Sequence, residues 1–472
     1  MRLHNTLTRK TEGFQPLQPG SARLYTCGPT VYDYSHIGNW RSFVFDDTLR
    51  RVLEANGFVV KHVMNVTDVG HLTSDADEGH DKLEAGAKRE GKAVWDVAKN
   101  YTDVFIKDAK LLNLLPPNGY SGPIGAYARA TDFISEQVDI VELLLDKGFA
   151  YKTEQAIYFD VTKLDSYGEL SGQKLSEKEV GAREEVVTDS NKRHPQDFAL
   201  WFFLVGRFAE HSMRWPSPWG EGFPGWHLEC SAIVHATLGD PLDIHTGGVD
   251  HIGTHHPNEM AQTEAAYGHK LANYWMHNEF VLVDGQKMSK SLGNFITLED
   301  IIKRGFDPMA LRLLFLQSHY RHQMNFTWEA LEAVSQALKA IYGWADMQFQ
   351  NLKSDGMRER YRQALDEINQ VMADDLNSPK AVAILNGIVN QTSEVGADSD
   401  SIREVIPALE KLFGLNLDKR QDITTEIKVL ISEREKARLA KDWTNADELR
   451  SKLELQKISI NDTSQGPVWS RI

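Results

Sequence analysis

Residues 23–66 alternate in a way that admits few folds. A short strand pattern over 23–27 is broken by Gly28-Pro29-Thr30, and from about Gly38 a helical period places Phe45, Leu49, Val52 and Leu53 on one face. Asn56-Gly57 ends that helix, and the run 59–66, rich in valine, follows as a second strand. Strand, loop, helix and strand in that order build parallel sheets, so the chain is expected to open as a Rossmann-like α/β domain. With 472 residues it exceeds one core and should divide into about three or four units.

Downstream, the texture changes several times. A polar helical stretch is expected over 75–112, closed by Pro116-Pro117-Asn118-Gly119. From there to about Pro218 a helix near 126–147, a strand pair near 150–161 and the charged loop 177–194 look like an insertion that interrupts the sheet. Trp215-Pro216-Ser217-Pro218-Trp219-Gly220 returns the chain to its first domain, and residues 241–245 read as another of its strands. The Gly-rich loop Thr246-Gly247-Gly248-Val249-Asp250 and a helix come next. Beyond about Trp328 the pattern is wholly helical, with a break at Asn377-Ser378-Pro379, a polar linker over 396–401 and a short charged helical unit from about Asp422.

The chain has only two cysteines, Cys27 and Cys230. His255 and Glu259 stand four apart, which puts an imidazole and a carboxylate on one helix face. Two thiols, an imidazole and a carboxylate gathered from distant points are the donors of a catalytic zinc centre, because structural zinc fingers draw theirs from short local pairs. The competing reading makes each thiol a small buried hydrophobe and the histidine pair a helix cap. A disulfide between the cysteines is a third use, disfavoured in a reducing compartment.

Two loops are suited to phosphate. His36-Ile37-Gly38-Asn39 stands at the start of the first helix, where free N–H groups and the positive dipole end favour an anion; His36 would donate to phosphate and Gly38 would leave room for a base. Lys287-Met288-Ser289-Lys290-Ser291, between Gly285 and Gly293, presents two ammonium groups that can neutralise charge on a transferring group. A cap and a solvated surface are the plainer alternatives for these two. Gly86-Ala87-Lys88-Arg89-Glu90-Gly91-Lys92-Ala93 has the spacing of a phosphate-binding loop, but Ala93 lacks the hydroxyl that would reach Mg²⁺ and no strand precedes it, so a charged helix is expected.

Taken together, these passages resemble the class I aminoacyl-tRNA synthetases, and within them the cysteinyl-tRNA synthetases. The resemblance runs through Tyr25-Thr26-Cys27-Gly28-Pro29-Thr30-Val31-Tyr32-Asp33, the His36 signature, Gly225-Trp226-His227-Leu228-Glu229-Cys230-Ser231-Ala232, His255-His256-Pro257-Asn258-Glu259, the lysine loop with Leu292-Gly293-Asn294, and Lys441-Asp442-Trp443-Thr444-Asn445-Ala446-Asp447. It implies Zn²⁺, one per chain, on Cys27, Cys230, His255 and Glu259, with the substrate cysteine's sulfur joining it. Thr67, Trp226 and Asp250 would meet the amino acid's amine or backbone portion. ATP, with Mg²⁺, would lie against His36, Gly38, Asn39, Lys287 and Lys290, and four of these, His36, Asn39, Lys287 and Lys290, would be catalytic. The implied activity is activation of L-cysteine to cysteinyl adenylate and transfer to the 3′ end of tRNA(Cys).

The same resemblance implies a domain order: a catalytic Rossmann-like half over 1–113, a connective insertion over 114–215, the second half over 216–270, a stem-contact region with the lysine loop over 271–327, an all-helical tRNA-binding bundle over 328–400 and an anticodon unit over 401–472. In that unit Arg434, Lys436, Arg438 and Lys441 form a basic stripe beside Trp443, though Glu433 and Glu435 interleave it. Three positions depart from the family pattern: Asn39 replaces a second histidine, Val69-Gly70-His71 replaces a double acid after Thr67-Asp68, and Thr246 replaces a glycine.

A net charge of -15 disfavours a protein that coats nucleic acid indiscriminately. No run approaches the ~18 apolar residues of a membrane span and the first residues lack a signal-peptide core, so a cytoplasmic protein without membrane contact is expected, and a monomer. The nearest rival joins cysteine to an amino sugar without tRNA and lacks the terminal unit. A zinc hydrolase leaves the lysine loop without a use, and a noncatalytic RNA-binding protein leaves both phosphate loops so.

Overall fold

A computed structural model describes residues 1–70, 72–74, 78–172, 189, 191–289, 292–463 and 465–472. Lys290, Ser291, His71 and most of the charged loop 177–194 lie outside the described residues. Contacts divide the chain into two units, one of residues 1–300 with 320–326, the other of 301–319 with 327–472.

The first unit is organised by a five-stranded sheet. Its strands are β1 (Ser21–Thr26), β2 (Val59–Val66), β3 (Ala128–Arg129), β4 (Leu242–Gly248) and β5 (Ala272–Asn278), in the order β5-β4-β1-β2-β3. Every pairing is parallel. Helix α1 (Ile37–Ala55) carries the chain from β1 to β2, as the periodicity required, and buries Phe45, Leu49, Val52 and Leu53. The strand order reverses between β1 and β4, and in open parallel sheets ligands bind outside the carboxyl ends of the strands at that point. The amide of Cys27 donates to the carbonyl of Thr246 at 3.3 Å, so the two strand ends stay paired up to the crevice.

Three local expectations change. Residues 128–129, expected inside a helix, pair with Asn65 and Val66 as the sheet's edge strand, and the helix begins later, at Ile134–Asp146. The supposed Gly-rich loop is still strand as far as Gly248: a Cβ on Gly247 would lie 2.6 Å from His251 Nδ1 and 2.7 Å from His256 Cε1, so glycine is there to let imidazoles approach the backbone. The stretch 75–112 holds two helices, Lys82–Glu90 and Val94–Leu111, with the left-handed Gly91 capping the first. The phosphate-loop look-alike is thus a charged helix, as its missing hydroxyl suggested.

Between β3 and β4 the chain builds a separate antiparallel sheet of Ala150–Lys152, Ala156–Phe159, Phe198–Phe203 and Gly222–Pro224. It then returns through helix α2 (Trp226–Thr237) to β4, and helix α3 (His255–Tyr267) connects β4 to β5. The lysine loop follows β5, in a three-stranded sheet of Val281–Val283, Gln286–Lys287 and Met324–Phe326.

The second unit is helical from Pro308–Leu316 through Trp328–Asp346, Met357–Met372, Ser378–Val395 and Ser399–Phe413. Asn377 caps the third of the long helices, with Pro379 in its first turn, which accounts for the break in pattern there. Helices Thr425–Leu439 and Trp443–Leu455 end the helical run. They pack on a β-hairpin, Ile458–Thr463 with Gly466–Arg471, that the periodicity did not announce. No helix among the described residues is long and apolar enough to cross a membrane.

Candidate metal and nucleotide site

Cys27, the residue after β1, Cys230 in the middle of α2, and His255 and Glu259 on the first turns of α3 meet in one cluster. Their donor atoms lie within 4.8 Å of one another and all four residues are buried. Cys230 Sγ is 3.5 Å from His255 Nε2. Zinc bonds of ~2.3 Å to sulfur and ~2.0 Å to nitrogen at the tetrahedral angle require about that separation. Glu259 Oε1 lies 2.9 Å from His255 Nε2 and otherwise has no hydrogen-bond partner, although it is buried. The donor set and that orphaned oxygen fit a metal ion.

A second group shares two of these residues: Cys27, His245, His256 and Glu259 also bring donor atoms within 4.8 Å. Cys27 Sγ is 3.5 Å from His256 Nε2. Further histidines hold both groups in place. His245 Nε2 is 2.8 Å from Glu259 Oε2, His227 Nδ1 is 2.9 Å from His255 Nδ1, and His256 Nδ1 is 2.8 Å from His277 Nε2. Each group therefore has an imidazole held by an outer histidine, His255 by His227 in the first and His256 by His277 in the second, and in the first His245 also holds the carboxylate from outside.

Charge inside the cluster is strongly polarised. Burial would raise the Cys27 thiol, but its hydrogen bonds and the charge of His251 hold it well below the usual range, whereas burial pushes Cys230 well above it. Burial would lower His255 as well, yet Glu259 and Cys27 lift it to about 10. Burial works against the Glu259 carboxylate too, but His245 and His255 bring it to about 2. A dication would take over the role of the proton on His255, as metal binding at such sites releases protons.

The wall of the cluster comes from Trp226, whose ring stacks on His255 at 4.2 Å. Asp250 is exposed nearby, and its carboxylate lies 3.9 Å from His251 Nε2. Thr67 is only 2 % exposed, and its hydroxyl donates to Glu229, a carboxyl that burial raises well above its ordinary range.

At the start of α1, His36 is the N-cap: its Nδ1 accepts from the Asn39 amide at 3.2 Å, and Asn39 Oδ1 accepts from the His36 amide at 3.1 Å. An accepting Nδ1 leaves the ring proton on Nε2, so His36 offers a donor. Burial lowers its pKa to about 4, so that donor is neutral at pH 7. A Cβ on Gly38 would lie 2.8 Å from His36 Cε1, so glycine there admits the capping imidazole. Beside this helix start, Asp33, Tyr34, Arg89, Tyr101 and Phe295 bound a cleft of about 490 Å³. Lys287 is exposed on its short strand.

Sequence reasoning did not assign His227, His245, His256, His277 or Glu229. The available signal was density: eight of the chain's 17 histidines fall within residues 227–277.

A family profile described as tRNA synthetases class I (C) catalytic domain matches residues 13–336. In fold, the chain is similar to a methionyl-tRNA synthetase of Mycobacterium tuberculosis in complex with methionyl-adenylate, with a TM-score of 0.60 over 84% of this chain and 92% of that one at 12% identity. The fold is therefore that of a class I tRNA synthetase. At the level of sequence, a Cysteine--tRNA ligase 1 from Burkholderia lata is 42% identical over 476 residues, covering 99% of this chain and 96% of the relative. A Cysteine--tRNA ligase from Treponema denticola is 40% identical over the whole of both chains. The chain belongs to the cysteine–tRNA ligase family of class I tRNA synthetases.

Proposed function

We propose that this protein activates L-cysteine with ATP to cysteinyl adenylate and transfers the cysteinyl group to the 3′ end of tRNA(Cys), selecting the thiol at a zinc ion held by Cys27, Cys230, His255 and Glu259. The observation that carries this reading is the convergence of two thiols, an imidazole and a carboxylate at the switch point of the sheet. Zinc, when bound, supplies a borderline-soft centre that lowers a coordinating thiol's pKa and favours sulfur over a hydroxyl. A size difference alone gives about 1–3 kcal/mol in an ordinary pocket, so the metal donors are what let this chain reject serine without editing.

The chain's residues do the rest by position and charge. Trp226, stacked on His255, closes one side, and Thr67 and the exposed carboxylate of Asp250 are assigned to the amine and backbone portion of the amino acid. His36 donates from Nε2 while Asn39 caps the helix, leaving the Gly38 amide of the first turn for phosphate. Gly38 keeps that surface open, and Lys287 and Lys290 neutralise charge on the phosphates together with Mg²⁺ carried by ATP.

The domain order set out from the sequence stands as part of this reading, with tRNA across residues 328–472, and the protein is read as a monomer of the cytoplasm. Relatives named as cysteine–tRNA ligases match through the terminal unit, which supports tRNA over an amino sugar as acceptor.

ATP–pyrophosphate exchange with each amino acid, before and after chelation, tests the proposal. Exchange should occur with cysteine alone and disappear with the metal. Metal-free protein that still charges its RNA with undiminished preference for cysteine over serine would overturn it.

A further inference from the structure

The lysine loop is fastened by the side chain of Asn294. Asn294 Oδ1 accepts from the Ser289 amide at 2.8 Å, and its Nδ2 donates to the Lys287 carbonyl at 3.2 Å. One amide group thereby grips the backbone on both sides of Met288. Gly293, at φ +67°, provides the left-handed turn just before it, a conformation that glycine adopts without strain. The Ser289 hydroxyl accepts from the Leu292 amide at 3.2 Å and tightens the same turn.

The residues after Asn294 are anchored to the start of α1. The Ile296 carbonyl accepts from the Ile37 amide at 2.9 Å, which satisfies one of the helix's free N–H groups. The Phe295 ring meets the His36 imidazole edge-on at 5.2 Å. Asn294 thus joins two fastened pieces: on one side the helix start with His36, on the other the backbone that carries Lys287.

We propose that Asn294 is a positioning residue for adenylate formation, holding the Lys287 backbone in register with the His36 helix start so that both meet one polyphosphate. The inference rests on the reading of that helix start and the lysine loop as the ATP site. Lys287 is exposed on a two-residue strand, and an unfastened lysine there would lose backbone and side-chain freedom each time ATP bound. A loop already tied through Asn294 has met part of that cost before binding. The hydrogen bonds of the Asn294 side chain run to Ser289 and Lys287 of the lysine loop, so its influence should fall on the first half-reaction.

The test compares Asn294→Ala, Asn294→Asp and Lys287→Ala with the unaltered chain in two assays: ATP–pyrophosphate exchange, and transfer from pre-formed cysteinyl adenylate to tRNA. Asn294→Ala should lower the exchange kcat about tenfold or more, the scale on which small misplacements act. It should leave the KM for cysteine, the transfer rate and the metal content unchanged. Asn294→Asp keeps the acceptor for Ser289 but cannot donate to Lys287, and should fall between. Normal exchange by Asn294→Ala beside impaired Lys287→Ala would overturn the clasp while sparing the ATP-site reading. Equal losses in both half-reactions would mark a general structural role and overturn it as well. Normal exchange by Lys287→Ala would overturn the reading of the lysine loop and the clasp with it.

Discussion

His245 Nε2 lies 2.8 Å from Glu259 Oε2, and this contact leaves the other carboxylate oxygen turned towards His255. The two overlapping donor groups differ in the part this pair plays: in Cys27, Cys230, His255 and Glu259 the His245 ring is an outer partner, and in the other group it is a donor. As an outer partner, His245 orients Glu259, and its loss should weaken metal binding about 10–100-fold without abolishing it. Metal content after dialysis should therefore collapse in Cys230→Ser and His255→Gln and persist in His256→Gln. The reverse pattern would assign the ion to Cys27, His245, His256 and Glu259.

The protonation of His36 follows from its burial, which brings the imidazole down to about 4. Between that value and the ordinary ~6.5 of the unfolded chain, the unfolded state binds the additional proton. Stability contributed by the neutral form is therefore complete above about 6.5 and is lost as pH falls towards 4. The fall in urea midpoint from pH 7 to pH 5 should be smaller in His36→Gln than in the unaltered chain. An identical fall in both would mean that His36 titrates normally.

Gly38→Ala should evict the capping ring, because the new Cβ would lie 2.8 Å from His36 Cε1. Loss of such a cap costs about 0.5–2 kcal/mol, so a modest drop in melting temperature is expected together with a larger loss of pyrophosphate exchange. Unchanged exchange would separate the cap from catalysis.

Replacing Lys290 by alanine should slow adenylate formation by ~10²-fold or more, the scale on which loss of one charge-stabilising group acts. Zinc content, measured by atomic absorption, should be unaffected. Normal pyrophosphate exchange would defeat that assignment.

In the terminal unit the expected basic stripe divides. Arg434 is only 4 % exposed and bonds Asp462 at 2.7 and 2.8 Å, and Arg438 is paired with Glu435 and Asp462, so neither is a free cation for RNA. Lys436, Lys441 and Trp443 remain exposed. Arg434→Ala should destabilise the chain by about 1–3 kcal/mol, less than a fully buried pair because Asp462 is partly exposed. Lys436→Ala with Trp443→Ala should instead raise the KM for tRNA and leave pyrophosphate exchange intact.

Much of this was legible in the chain because it is local. Helix α1 and strand β2 follow from periodicity over 37–66, and the break at Asn377-Ser378-Pro379 from cap chemistry alone. The grouping of Cys27, Cys230, His255 and Glu259 was also readable, since the chain offers only two thiols and the His255–Glu259 pair stands four apart in a helical stretch. The edge strand at 128–129 was not, because two residues carry no period and acquire strand geometry only by pairing with Asn65 and Val66.

Identity and spacing along the chain therefore announced a parallel-sheet tRNA synthetase and brought forward a candidate metal site and two candidate phosphate loops. Packing alone selected which imidazoles surround Cys27, Cys230, His255 and Glu259, turned Gly38 and Gly247 into clearances for histidine rings, and folded Arg434 inward onto Asp462. The reason is distance: hydrogen bonds between residues as far apart as Cys27 and His256 exist only once the strand order brings β1 and β4 side by side.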